Sequence, residues 1–137
     1  MSNLSSFFVA SKSHARSYMN GGFDAVPPDA IVETSGLTDL EVSTLYAIVK
    51  GEEFDFDKHE FEPSDETDTA SLYRLPNRFV KALAGLPESE ITSVCGSWAN
   101  TEEMACQAEP LIPLVRNLKR IAEMVEKGRD LYFFCST

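Results

Sequence analysis

The chain has little of what secreted, membrane-spanning or disulfide-linked proteins need. Within residues 1–18 the longest apolar run is four residues, at positions 7–10. A signal peptide has an apolar stretch of about 7–15 residues, and a membrane helix has about 20. The three cysteines, Cys95, Cys106 and Cys135, are odd in number and show no Cys-x-x-Cys spacing, which argues against a disulfide framework and a zinc site. We therefore expect a cytoplasmic protein with reduced thiols and no membrane contact.

Sequence motifs for cofactors and catalysis are also missing. The seven glycines are scattered, and they form neither Gly-x-Gly-x-x-Gly nor a Walker loop. The chain has two histidines, His14 and His59, and no pattern places either beside a cysteine, as a cysteine nucleophile would require. The sequence favours a protein without enzymatic activity or cofactor. The alternative is an enzyme or small-ligand-binding protein whose site is assembled from residues far apart in the chain.

Basic residues are scarce, and the acidic surplus is concentrated in one place. The chain has 12 Lys and Arg against 22 Asp and Glu, a formal net charge of −10. Nine of the carboxylates, one lysine and His59 lie between Glu52 and Asp68, so this stretch carries −8 of that charge. We call residues 52–69 the acidic segment and expect it to be partly mobile, with a loop over residues 62–69. Such a field repels nucleic acids and attracts a cation or a basic protein.

Aromatic residues within the acidic segment favour a basic protein as the partner. Phe54 and Phe56 alternate with Asp55 and Asp57, a pattern typical of a half-buried strand. Interfaces are commonly anchored by aromatic side chains, and opposite potentials speed encounter. We therefore predict an inhibitor- or immunity-like protein that binds a basic partner, by analogy with inhibitors of basic toxins and nucleases. A solvated loop whose phenylalanines fill the core is the competing interpretation. The candidate partner-binding residues are Glu52, Glu53, Phe54, Asp55, Phe56 and Asp57.

A divalent cation is the other ligand that the acidic segment suggests. Residues 55–66 superficially resemble the calcium loop of EF-hands, which draws its ligands from positions 1, 3, 5, 7, 9 and 12. His59 stands at position 5, Pro63 at position 9, and Glu60 at position 6, where the loop needs glycine. We expect calcium binding here to be weak and non-selective. The candidate metal ligands are Asp55, Asp57, Glu60 and Glu62.

The apolar patterning predicts a single α+β domain over residues 1–137. Residues 7–9 and 131–135 are short, densely apolar runs, so we expect two strands that lie side by side, or one apart, at the centre of a small sheet. A short edge strand is expected at residues 30–33.

About four helices are predicted to pack against this sheet. Thr38 and Glu41 form a capping box that begins the first, and Gly51 ends it. The second covers residues 76–84, the third begins near Pro87 and carries Trp98 on its apolar face, and the longest spans residues 110–127. Strands and helices do not alternate regularly, which distinguishes α+β from α/β.

Overall fold

The two most apolar segments of the chain pair with each other at the centre of a five-stranded antiparallel sheet. In the computed structural model, which describes residues 4–136, the strand order is β2-β1-β5-β4-β3. Phe7 of β1 lies opposite Phe133 of β5, as the prediction of two central terminal strands requires. The strands are β1 (Leu4–Ala10), β2 (Ile31–Ser35), β3 (Asp65–Glu66), β4 (Ala70–Arg74) and β5 (Asp130–Ser136).

Successive side chains of a strand point to opposite sides, so this sheet has two apolar faces. Helices cover both of them. Phe7 and Phe133 face the larger apolar cluster, and Phe8 and Tyr132 face a smaller one. The helix α1 (Lys12–Met19) covers the smaller cluster. The larger cluster is formed with α2 (Asp39–Lys50), α4 (Asn77–Ala84), α5 (Ile91–Ala99) and α6 (Leu111–Ala122), while α3 (Phe56–His59) is a single turn. The α+β class is confirmed.

Local sequence signals explain where the helices begin and end. The capping box of Thr38 and Glu41 is present at the start of α2. Gly51 follows the helix with φ +68°, a left-handed conformation that glycine adopts at little cost. Trp98, fully buried as predicted, donates its indole N–H to the Glu41 carbonyl at 2.9 Å and ties α5 to α2.

The C-terminal helix α6 is shorter than predicted. It ends at Ala122 rather than at residue 127, because the chain must reverse there to enter β5. Met124 and Val125 donate to carbonyls three residues earlier, and Gly128 makes the turn with φ +86°. Leu118 is fully buried on the helix's inner face.

The predictions missed α1 and β4, and the loop assigned to residues 62–69 is wrong in part. Asp65 and Glu66 form β3, which pairs with β4, and Thr67 N–H donates to the Ala70 carbonyl to close the hairpin. The backbone of β3 forms hydrogen bonds with β4, a pairing that the sequence did not predict. The acidic segment therefore ends as the edge of the sheet. None of the helices within residues 4–136 has the length and apolar character needed to cross a membrane.

Candidate functional site

The first half of the acidic segment forms a helical turn where the alternating pattern predicted a strand. Asp55 precedes α3, and its carboxylate accepts the backbone N–H of Asp57 at 2.9 Å. The backbone N–H of Asp55 donates to Nδ1 of His59 at 3.0 Å. These bonds satisfy the backbone locally, so the segment does not need a neighbouring strand. The strand predicted for Phe54 and Phe56 is therefore wrong.

His59 is the internal support of this turn, a role that its sequence context did not reveal. Its side chain is fully buried. The imidazole ring makes an edge-to-face contact with Tyr46 and stacks on Phe54. Because Nδ1 accepts a hydrogen bond, the neutral ring carries its proton on Nε2, which donates to Glu52 Oε1 at 3.1 Å. Both ring nitrogens are occupied, so His59 is not available as a base for a cysteine.

Glu52 is held by three neighbours and belongs to the structure of the turn. Its other carboxylate oxygen lies 3.0 Å from Lys58 Nζ and 3.5 Å from the guanidinium of Arg78 on α4. Hydrogen bonds from Lys58 and then His59 lower the pKa of Glu52 to about 2, with a further contribution from the charge of Arg78. A carboxylate already bound to these groups offers little to a partner.

The three phenylalanines of the segment differ in exposure. Phe61 is buried beside the stacked rings of Tyr46 and Phe79, and its ring centre lies about 6 Å from each of theirs. Phe54 is half-buried on His59. Phe56 is 62% exposed, and its ring makes an edge-on contact with Phe54 at 4.9 Å. One of the three rings is therefore presented to solvent, and a second supports it from beneath.

Residues 52–58 line a shallow concave surface of about 620 Å³. Lys58, a cationic residue in this lining, is hydrogen-bonded to Glu52. The other charged side chains of this lining are the exposed carboxylates of Glu53, Asp55 and Asp57. We call the five residues other than Glu52 and Lys58 the Phe56 patch; they are Glu53, Phe54, Asp55, Phe56 and Asp57.

The candidate metal ligands are not brought together. Asp55 uses one oxygen to cap α3. Residues 55–66, which resemble a calcium loop in spacing, form a helical turn, a connection and the edge strand β3. Over residues 4–136, no group of three or more His, Cys, Asp or Glu side chains is placed to hold a metal ion. The structure thus gives no geometric support for a site formed by Asp55, Asp57, Glu60 and Glu62.

The cysteines lie in different environments, and all three are free thiols. Cys95 is buried and Cys135 is half-buried. Burial raises the pKa of both thiols, and the charges of Asp39 and Glu41 help to raise that of Cys135 to about 11. Cys106 is exposed. The thiolate, which is the reactive form, is therefore disfavoured at Cys95 and Cys135.

Comparison with known proteins gives no relative from which a function could be transferred. No protein-family model matches the chain, and neither a curated protein nor a solved structure matches it.

Proposed function

We propose that this chain is a non-enzymatic binding protein that docks a basic protein partner on the Phe56 patch. The observation that carries the proposal is the 62% exposed ring of Phe56, which shares its concave surface with exposed carboxylates and makes an edge-on contact with Phe54. An exposed aromatic ring within a charged rim is the arrangement in which interface anchors are commonly found.

The apolar contribution of Phe56 is of useful size. Full burial of a phenylalanine side chain is worth about 1.5–3 kcal/mol. Since 62% of Phe56 is accessible, a partner that covers the ring gains about 1–2 kcal/mol from it. This is the size of contribution expected from a single interface anchor.

The patch is also pre-organised for binding. Phe54 rests on the buried His59, which is fixed by Glu52 and by the backbone of Asp55. Groups that are already ordered lose less conformational entropy when they bind. Glu52 and the three side chains bonded to it thus hold the turn in place. Glu53 and Asp57 remain exposed to the partner.

The carboxylates favour a partner with a basic surface. Exposed charges act mainly on the rate of association and are screened over about 8 Å at physiological ionic strength. Burial of Phe56 acts on the rate of dissociation instead, because the contact forms only after docking. The two kinds of substitution should therefore separate kinetically.

The test begins with a partner recovered on the immobilised chain from an extract of its native host at low salt and then purified. Binding kinetics are compared for the wild-type chain, for Phe56→Ser, and for a triple variant with Glu53→Gln, Asp55→Asn and Asp57→Asn. Asparagine at position 55 retains a helix-capping side chain. Leu40→Ser is the matched control, since Leu40 is an exposed apolar residue on α2.

We expect Phe56→Ser to speed dissociation by about 5- to 30-fold, which corresponds to 1–2 kcal/mol. The triple variant should slow association and flatten its dependence on salt. Leu40→Ser should change neither rate. A partner whose binding ignores both the triple variant and Phe56→Ser would remove the proposal.

A further inference from the structure

A second concave surface lies at the opposite edge of the sheet from the acidic segment. Its volume is about 720 Å³. The side chains of Tyr18, Phe23, Val26 and Ile31 contribute apolar lining, and Phe23 is 49% exposed. We call this surface the β2 groove, because Ile31 and Glu33 of the edge strand β2 form one of its walls.

The two edges of the sheet differ in how they are protected. The edge strand β3 has two residues, both acidic, which is too short and too charged to accept another strand readily. The edge strand β2 has five residues, with Glu33 as its single charged residue and no proline. Within residues 4–136, β1 is the one strand that pairs with β2. One side of β2 is therefore open to backbone hydrogen bonding.

The groove is negatively charged as well as apolar. Asp24 and Glu33 line it, and among residues 4–136 no lysine or arginine contributes to its lining. In the part of the chain that the structure describes, neither carboxylate forms an ion pair or a hydrogen bond. Tyr18 donates to or accepts from Ser6 at 3.0 Å, and its pKa is raised mainly by burial, with Glu33 adding to the effect. The charge in the groove is thus not neutralised from within.

We propose that the β2 groove binds an extended, basic peptide segment of a partner protein, which adds to the sheet beside β2. An added strand would use the open backbone edge for affinity and the groove for side-chain selection. A second copy of this chain fits poorly, since it would bring further acidic residues to Asp24 and Glu33 and carries a net charge of −10.

The register of the sheet indicates what the peptide should contain. Ile31 lies opposite Phe8 and Glu33 opposite Ser6, so the side chains of Ile31 and Glu33 point to the same face. Side chains that face each other across paired strands are close enough to interact. The bound segment should therefore place an apolar residue beside Ile31 and a basic residue beside Glu33, two positions apart in its sequence.

The test uses a synthetic peptide with blocked ends and the sequence Ser-Val-Thr-Lys-Thr-Val-Ser, titrated into the full ¹⁵N-labelled chain. Its lysine has a valine two positions away on either side, so it satisfies the spacing in both strand directions. One control peptide carries glutamate in place of lysine. Another is N-methylated at alternate residues, which removes backbone donors while retaining the side chains. Butylamine serves as a probe for binding of the charge alone.

We expect saturable amide shifts in residues 31–35 with the first peptide, and none with either control peptide. Asp24→Asn and Glu33→Gln should each weaken binding by up to about fivefold, the effect of one exposed charge pair. Phe23→Ser should also weaken it. Asp24 and Glu33 are exposed, so thermal unfolding of these two variants should stay close to that of wild type. Phe23→Ser removes a half-covered ring that contacts Tyr18, so it should also lower the melting temperature by a few degrees.

The proposal is overturned by several outcomes. These are no shift at millimolar peptide, equal binding of the N-methylated peptide, equal binding of butylamine, or a dimer whose formation depends on Glu33. Phe56→Ser is the control that separates the two surfaces. It should leave peptide binding unchanged, so failure at the β2 groove does not bear on the Phe56 patch, and the converse also holds.

Discussion

Truncation of phenylalanines in the acidic segment should have very different effects on stability, depending on the position. Phe61 is 5% exposed and stacks against Tyr46 and Phe79. Phe61→Ala should therefore cost about 3–5 kcal/mol through lost burial and the cavity left behind. Phe56 has 38% of its side chain covered, as its 62% exposure implies, so Phe56→Ala should cost about 0.6–1.1 kcal/mol. Phe54→Ala should fall between these values.

The measurement is urea unfolding of the three alanine variants beside wild type, followed by far-UV circular dichroism. A change of midpoint without a change of slope reports a change in stability alone. If Phe56→Ala costs as much as Phe61→Ala, then Phe56 is a core residue in solution. In that case the proposal that Phe56 anchors a partner is refuted, whatever the effect of the charge variants.

Three further predictions concern the ion cluster, the thiols and the core. The pKa of Glu52 is lowered from 4.5 to about 2, so its carboxylate stabilises the fold at neutral pH and this contribution is lost as pH falls through that range. Glu52→Gln should lower the urea midpoint at neutral pH, and the midpoint of the variant should fall less steeply than that of wild type as the pH drops from 4.5 to about 2. An unchanged pH profile would show that the bonds of Glu52 to Lys58, His59 and Arg78 do not stabilise the fold. With a chromogenic thiol reagent at pH 7, Cys106 should react rapidly and Cys95 and Cys135 slowly, and fast labelling of either of the latter would show that it is not protected by burial. Leu118→Ala should cost about 2–5 kcal/mol in the same unfolding assay, and a loss below 1 kcal/mol would show that α6 does not pack as described.

The parts of the fold that could be predicted are those decided locally or by the densest apolar groups. The capping box at Thr38 and the glycine stop at Gly51 act within one turn of α2, so adjacent residues suffice to identify them. The central position of β1 and β5 follows because Phe7 and Phe133 need each other to be buried. In both cases the controlling interaction can be read from a few residues.

The elements that were missed have weaker local signals. The helix α1 buries only Ala15, Tyr18 and Met19, which is too few apolar residues for a clear stripe. A signal was nevertheless present at Ser11, whose side chain caps the helix by accepting the N–H of His14. The strand β4 is held by its pairing with β5, a contact between residues about sixty positions apart. Local propensity carries no information about such a contact.

In the candidate site, too, features set by the local sequence could be predicted and features set by tertiary contacts could not. The concentration of charge over residues 52–69 was evident from the sequence, but the roles of individual carboxylates were not. Glu52 contacts Arg78, which lies in another helix, and His59 is buried against Tyr46, which lies in a third. Those tertiary contacts decide that Glu52 supports the turn while Glu53 and Asp57 stay exposed.

This assignment changes how the acidic segment should be dissected. Neutralising Glu52 together with its neighbours would disturb the turn that carries Phe54, so a loss of binding could then reflect loss of structure. Leaving Glu52 intact keeps the ring supports in place and limits the change to exposed charge. The Phe56 patch lies on and beside α3 and the β2 groove lies along the edge strand β2. Among residues 4–136 the two surfaces share no lining residue, so each can be altered without touching the other. Each surface presents an exposed aromatic ring and carboxylates. The set of substitutions that weakens binding will therefore show whether a single basic partner uses both surfaces or two different partners use one each.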